Sequence, residues 1–188
     1  RHRLIKGTGI KVFSRPDDLA GFLKEHGLSP KDREDCIIDA GRTIPGFSLE
    51  GAAKAEFFLH CPFAWRTDDR GGVDRNQDSV VFQATFNEDG THTRVLFGSD
   101  VDSGTLSQIV RTTKSHNNED KLSWDVLKLF HHCSYAALNS AERGKDETNP
   151  VEDVEWLIEV QGTEKCRIVS PSSPIPAKGS DEDNEQPP

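Results

Sequence analysis

Two short segments place metal-competent side chains directly after apolar runs. In Val95-Leu-Phe-Gly-Ser-Asp100 a carboxylate ends the run, and in Asp125-Val-Leu-Lys-Leu-Phe-His-His-Cys-Ser134 a histidine pair does. A carboxylate has two oxygens and can bridge two cations, while a neutral imidazole is a good zinc ligand. Asp100, His131 and His132 are therefore candidates for part of a two-metal site. The same residue types also have a plainer use, since a strand-end Asp often caps a turn and a His pair is often structural. Cys133 stands beside His132 but has no evident orienting third group, so it does not read as a nucleophile. Asp39, Asp78 and Asp125 read as hydrogen-bonding residues of turns or strand ends.

Rigid elements must hold these groups, because strand ends fix a side chain while the following loop leaves its tip open. Val80, Phe82, Ala84 and Phe86 alternate within Ser79 to Phe86, and His92 to Gly98 follows after Asn87-Glu-Asp-Gly90. That pattern predicts a β-hairpin. Further strands are expected at Cys36–Ala40, Glu56–His60, Asp125–Leu129 and Lys165–Val169, with a loop through Pro45-Gly46. Helices are expected at Ser14–Gly27, from Ser103 to the polar run at Ser115–Asp120, at Ser134–Arg143, and after Asn149-Pro150. This order of elements points to a mixed sheet covered by helices, of class α/β or α+β.

With 23 Lys plus Arg against 32 Asp plus Glu, the net charge is −9, which disfavours a simple polyanion binder. No apolar run nears the roughly 20 residues of a membrane helix. The four cysteines, Cys36, Cys61, Cys133 and Cys166, are widely spaced and form no CxxC pair. Reduced thiols in a cytoplasmic protein are the simplest reading. There is no methionine and the sequence opens on Arg1-His2-Arg3, so the chain is expected to be an internal part of a longer protein. One domain is expected over 1–169. From Ser170 onward the prolines and acidic residues predict a flexible tail or a surface loop.

Taken together in order, these segments resemble the metallo-β-lactamase-fold hydrolases, in particular the branch typified by the hydrolase domain of ComEC competence proteins. The matching residues are Asp39-Ala-Gly41 with Gly51, Glu56-Phe-Phe-Leu-His-Cys-Pro62, Asn76-Gln-Asp-Ser-Val-Val-Phe82, Arg94-Val-Leu-Phe-Gly-Ser-Asp100 and Asp125-Val-Leu-Lys-Leu-Phe-His-His-Cys-Ser134. They look like the family's Leu-His-Pro strand, its Asn-x-x-Ser strand, its Gly-Asp strand end and its Leu-Lys-x-x-His-His-Gly-Ser strand end. Ser99 is inserted between Gly98 and Asp100, and Cys133 replaces the usual glycine. The family's first metal motif, His-x-His-x-Asp-His, does not occur in residues 1 to 60.

The resemblance implies a four-layer αββα sandwich, of which this chain supplies mainly the C-terminal half. It implies that Asp100 bridges two divalent cations, Zn²⁺ or Mn²⁺, and that His132 ligates one. His131 is either a further ligand or a hydrogen-bond donor to the reacting group, and His60 holds a structural position. The expected activity is metal-dependent hydrolysis of phosphodiesters or other phosphoesters by metal-bound hydroxide. A small phosphoester and a nucleic acid both remain as substrates. The rival expectation is a degenerate, non-catalytic version of the fold that serves as an interaction module for a protein partner.

Overall fold

The computed structural model describes residues 1–13, 19–63, 79–142, 147–172, 176–177 and 179–180. The chain begins with α1 (His2–Lys6), β1 (Val12–Phe13) and α2 (Leu19–Glu25), followed by a 3₁₀ turn at Pro30–Cys36 and β2 (Ile37–Ile38). Strands β1 and β2 pair in parallel as a two-stranded sheet of their own. Leu4, Leu19, Leu23, Cys36 and Ile37 form the small core beneath it. Ser29 closes the 3₁₀ turn with a capping box: its hydroxyl accepts from the Asp32 amide, and Asp32 accepts from the Ser29 amide at 2.8 Å. The turn runs on through Cys36, where the Ile37 amide donates to the Glu34 carbonyl, so the strand expected at Cys36–Ala40 shrinks to Ile37–Ile38. The first five residues of the helix expected from Ser14 lie outside the described residues, and its remainder is α2.

The main sheet holds β3 (Arg42–Thr43), β4 (Ala55–Cys61), β5 (Val81–Glu88), β6 (Thr91–Phe97), β7 (Trp124–Lys128) and β8 (Gly162–Val169), in that spatial order. Strands β3 to β6 are antiparallel neighbours, and β6, β7 and β8 are parallel. The predicted hairpin is β5–β6. Its two central residues, Asp89 and Gly90, have φ of 50° and 85°, the left-handed pair whose twist matches that of the flanking strands. The interval between Ala40 and Ala55, expected as loop alone, contains β3.

Alternation along β5 holds, with an unexpected division of labour between the faces. Register places Phe82 opposite Phe97, and Ala84 opposite both Phe57 and Val95. The other face, with Gln83 opposite Leu96, is the one the helices cover. Leu96 and Leu127 join Leu106, Ile109 and Val110 of α3 (Ser103–Ser115) and Val154 and Leu157 of α5 (Glu152–Glu159) in the main core. Each such side chain contributes about 1.5–3 kcal/mol by leaving water. Gln83 is 2% exposed, and its amide donates to the carbonyls of Asp120 and Ser123 at 3.3 and 2.7 Å. Those bonds are what make a buried amide tolerable. The Phe face is the more open one, with Phe47 and Phe86 at 43% and 42% exposure. On it the Phe82 and Phe97 rings stack at 4.8 Å, and Phe47 meets Phe57 edge-on at 4.9 Å.

Helix α3 starts where Asp102 accepts the Thr105 amide at 2.8 Å. It stops where Asn117, at φ 55°, takes the left-handed place usually given to glycine. The Asn117 and Asn118 amides then close on the carbonyls of Lys114 and Thr113. Trp124, at the start of β7, donates its indole N–H to the Leu157 carbonyl at 2.9 Å and so ties the sheet to α5. The helix expected at Ser134–Arg143 is shorter, α4 (Tyr135–Asn139) running into a 3₁₀ turn at Ser140–Glu142, and Arg143 lies outside the described residues. Among the described residues no helix is long and apolar enough to cross a membrane. Cys36, Cys61, Cys133 and Cys166 form no disulfide with one another.

Candidate functional site

Because β6 and β7 are parallel neighbours, both chains leave the sheet at the same edge. Phe97 sits opposite Lys128 at the end of that pairing, so Gly98-Ser-Asp100 and Leu129-Phe-His-His132 emerge side by side. The His131 amide donates to the Ser99 carbonyl at 2.9 Å, and the Lys128 ammonium donates to the Gly98 carbonyl at 2.9 Å. Phe130, 2% exposed, anchors the second loop from below.

These tethers bring Asp100 Oδ1 to 3.4 Å from His132 Nε2, with the two side chains 41% and 63% exposed. A direct N–H···O bond would be shorter, at about 2.7–3.2 Å. Two donors on one tetrahedral zinc, each about 2.0–2.1 Å from it, stand about 3.4 Å apart. The spacing therefore suits a shared cation as well as it suits an ion pair to a protonated imidazole. His131 does not join the pair as a third donor; its Nδ1 atom is buried with no hydrogen-bond partner among the described residues. Donor types and spacing fit a divalent ion. Donor number falls short, because among the described residues no three His, Cys, Asp or Glu side chains gather to hold one, and catalytic zinc sites take about three protein ligands.

The loop carrying the histidines is strained. His131, His132 and Cys133 have φ of 44°, 52° and 66°, and each left-handed non-glycine residue costs about 1–2 kcal/mol. Hydrogen bonds from the Cys133 amide to the Phe130 carbonyl (2.9 Å) and from the Ser134 amide to the His131 carbonyl (2.8 Å) hold it. Such strain clusters where a side chain must be aimed. Glycine in place of Cys133 relieves the penalty but loosens the unfolded chain, which offsets part of the gain. Cys133→Gly is expected to stabilise the protein by up to about 1 kcal/mol, read as a higher urea midpoint; a lower one would show the thiol to be holding the loop.

The remaining candidates fall as follows. Asp125 accepts from the Arg94 amide at 2.7 Å and from the Thr163 hydroxyl at 2.8 Å, the strand-end role expected of it. His60 is 2% exposed and part of the interior. Asp39 is half-buried beside β3, and Asp78 lies outside the described residues. The strained loop was not anticipated; its signal was the glycine that the resembling motif carries at the position of Cys133. No protein-family model matches the chain, and neither a curated protein nor a solved structure matches it.

Proposed function

We propose that the chain carries one side of the active site of a metal-dependent phosphoester hydrolase, in the C-terminal half of a metallo-β-lactamase-like αββα sandwich. The observation that carries this reading is the 3.4 Å spacing of Asp100 Oδ1 and His132 Nε2 at adjacent parallel strand ends. Zinc or manganese bound there would supply Lewis acidity and lower the pKa of coordinated water. Asp100 offers the bridging carboxylate, His132 a terminal imidazole, and His131 a second imidazole beside the reacting group. Lys128 and the Ser99 carbonyl set the orientation of both loops. The open Phe face supports the same architecture, since an apolar sheet face packs on a second sheet about 10 Å away. The charge of −9 favours a small phosphoester over a long nucleic acid.

The test is calorimetric titration of Zn²⁺ and of Mn²⁺ into the wild type, Asp100→Ala and His132→Ala, with turnover of a generic phosphodiester followed in parallel. Each variant should bind metal at least about tenfold more weakly, Asp100→Ala the more so. Identical isotherms would overturn the reading. A second reading, the non-catalytic interaction module, is favoured by the incomplete donor set; metal binding at the pair without turnover, or no metal binding at all, would select it.

A further inference from the structure

A cavity of about 350 Å³ opens between the β3–β4 edge of the sheet and the C-terminal end of α3, and none of Asp100, His131 and His132 lines it. Its size lies in the usual range for small-molecule sites, about 300–1,000 Å³. Phe58 and Phe63 give it apolar walls, both buried. Phe58 stands edge-on to the His60 ring, with centroids 5.0 Å apart.

Several polar atoms around those walls are already served. The Thr112 carbonyl accepts from the Ser115 hydroxyl and from His116 Nδ1, each at 2.8 Å. The Thr113 carbonyl accepts from the His116 and Asn118 amides at 3.3 and 3.1 Å, and Asp39 has a partner of its own. His60 is different. Its Nε2 lies 2.9 Å from the Lys121 carbonyl, which can only accept, so Nε2 carries the proton and Nδ1 is left as an acceptor. Burial depresses the imidazole pKa to about 4, so the ring is neutral at physiological pH. At 2% exposure bulk water does little for that lone pair. The Thr113 hydroxyl approaches it at 3.4 Å, longer than a good hydrogen bond of about 2.7–3.2 Å. Both residues line the cavity.

Two atoms 3.4 Å apart can both lie about 2.8 Å from a third, a good hydrogen-bond distance. One hydroxyl oxygen placed there serves both, donating its proton to His60 Nδ1 and accepting from the Thr113 hydroxyl. A carboxylate in that place has no proton to give and sets its charge against the Nδ1 lone pair. An ammonium can donate but cannot accept, and it must leave water for a buried wall. The group required is therefore a neutral hydroxyl. Phe58 and Phe63 favour an aromatic carrier, because ring pairs gain beyond the area they bury. A phenol keeps its proton at neutral pH, with a pKa of roughly 10 like that of tyrosine. We propose that this cavity binds a small neutral phenol, its ring against Phe58 and Phe63 and its hydroxyl bridging His60 Nδ1 and the Thr113 hydroxyl. The site is separate from the Asp100–His132 edge and does not depend on how that edge functions.

The probe is p-cresol, titrated into the full chain at neutral pH in the presence of EDTA and followed by amide chemical shifts. Saturable shifts are expected, confined to Phe58, His60, Thr112, Thr113 and their neighbours. Toluene, the same ring and methyl group without the hydroxyl, should bind at least about tenfold more weakly, and so should 4-methylbenzoate. Thr113→Val removes one of the two hydrogen bonds; it should weaken p-cresol about fivefold and leave toluene unchanged. Equal affinity of the wild type for p-cresol and toluene, a comparison that needs no variant, would overturn the phenol assignment in favour of a plain apolar cavity. Loss of p-cresol and toluene alike in Thr113→Val, or of neither, would overturn the bridge. Tighter binding of 4-methylbenzoate than of p-cresol would overturn the choice of a neutral ligand. No shift with any of the three at millimolar concentration would overturn the site.

Discussion

Gly98→Ala is expected to lose about 3 kcal/mol of stability or more, although it adds a single methyl group. An ideal Cβ at this position would stand 2.2 Å from Phe130 Cδ1, 2.6 Å from its Cε1 and 2.9 Å from the Lys128 carbonyl oxygen. The ring is held in the main core, and the carbonyl is backbone, so neither obstacle swings aside. Gly98 is not among the positive-φ glycines, and close approach alone makes it necessary. Relief requires β6 and β7 to part at the edge where Asp100 and His132 converge. Urea denaturation measures the loss. Phe130→Ala carries its own cost of about 3–5 kcal/mol, but the Gly98→Ala/Phe130→Ala pair should cost clearly less than the sum of the single changes. An unchanged midpoint in Gly98→Ala would show that the strands give way freely.

Acidification is expected to remove about 3 kcal/mol between pH 7 and pH 4 through His60 alone. The imidazole pKa falls from 6.5 to about 4 in the folded protein, first because burial penalises its charged form; the Lys121 carbonyl opposes that shift and the Lys121 ammonium adds to it. Between these two values the unfolded chain holds the proton and the native chain does not. Stability therefore rises with pH across the window, is fully present above about 6.5, and drains away as pH falls toward 4. Asp32, whose carboxyl the Ser29 hydroxyl and amide hold below its usual 3.8, acts only at the acid end beyond this window. Unfolding free energies from urea titrations at successive pH values check the slope. His60→Gln should be flatter between pH 6.5 and 4, and an identical slope in that variant would place the dependence elsewhere.

The hairpin was legible because two independent signals agreed on it: strict alternation from Phe82 to Phe86, and an Asp-Gly turn that only a left-handed pair can make. The meeting of Asp100 and His132 was legible for a related reason, since both end apolar runs and parallel strands deliver their C-termini to one edge. The covered face was not. Phe82 and Phe86 advertise a core, but Gln83 and Thr85 are the residues beneath the helices, and the carbonyls that satisfy Gln83 lie about 40 residues away. Two-residue strands such as β1, β2 and β3 carry no periodicity to read. Strand β8 begins three residues before the predicted Lys165 because an exposed edge strand, Gly162–Val169, shows little alternation in burial. The cavity beside His60 is assembled from β3, β4 and the end of α3, and no local pattern announces it.

The parallel seam between β6 and β7 also sets an order of assembly. Strands β5 and β6 pair antiparallel across a two-residue turn, so this hairpin can gather from local contacts. Pairing β6 with β7 requires the chain to travel out through α3 and back, and the closure entropy of that excursion must be met before the seam returns any hydrogen bonds. Asp100 and His132 lie on opposite sides of the seam. A chain that has collapsed around its hairpin still has the two groups apart, so their 3.4 Å approach belongs to the finished fold and is withheld from its precursors.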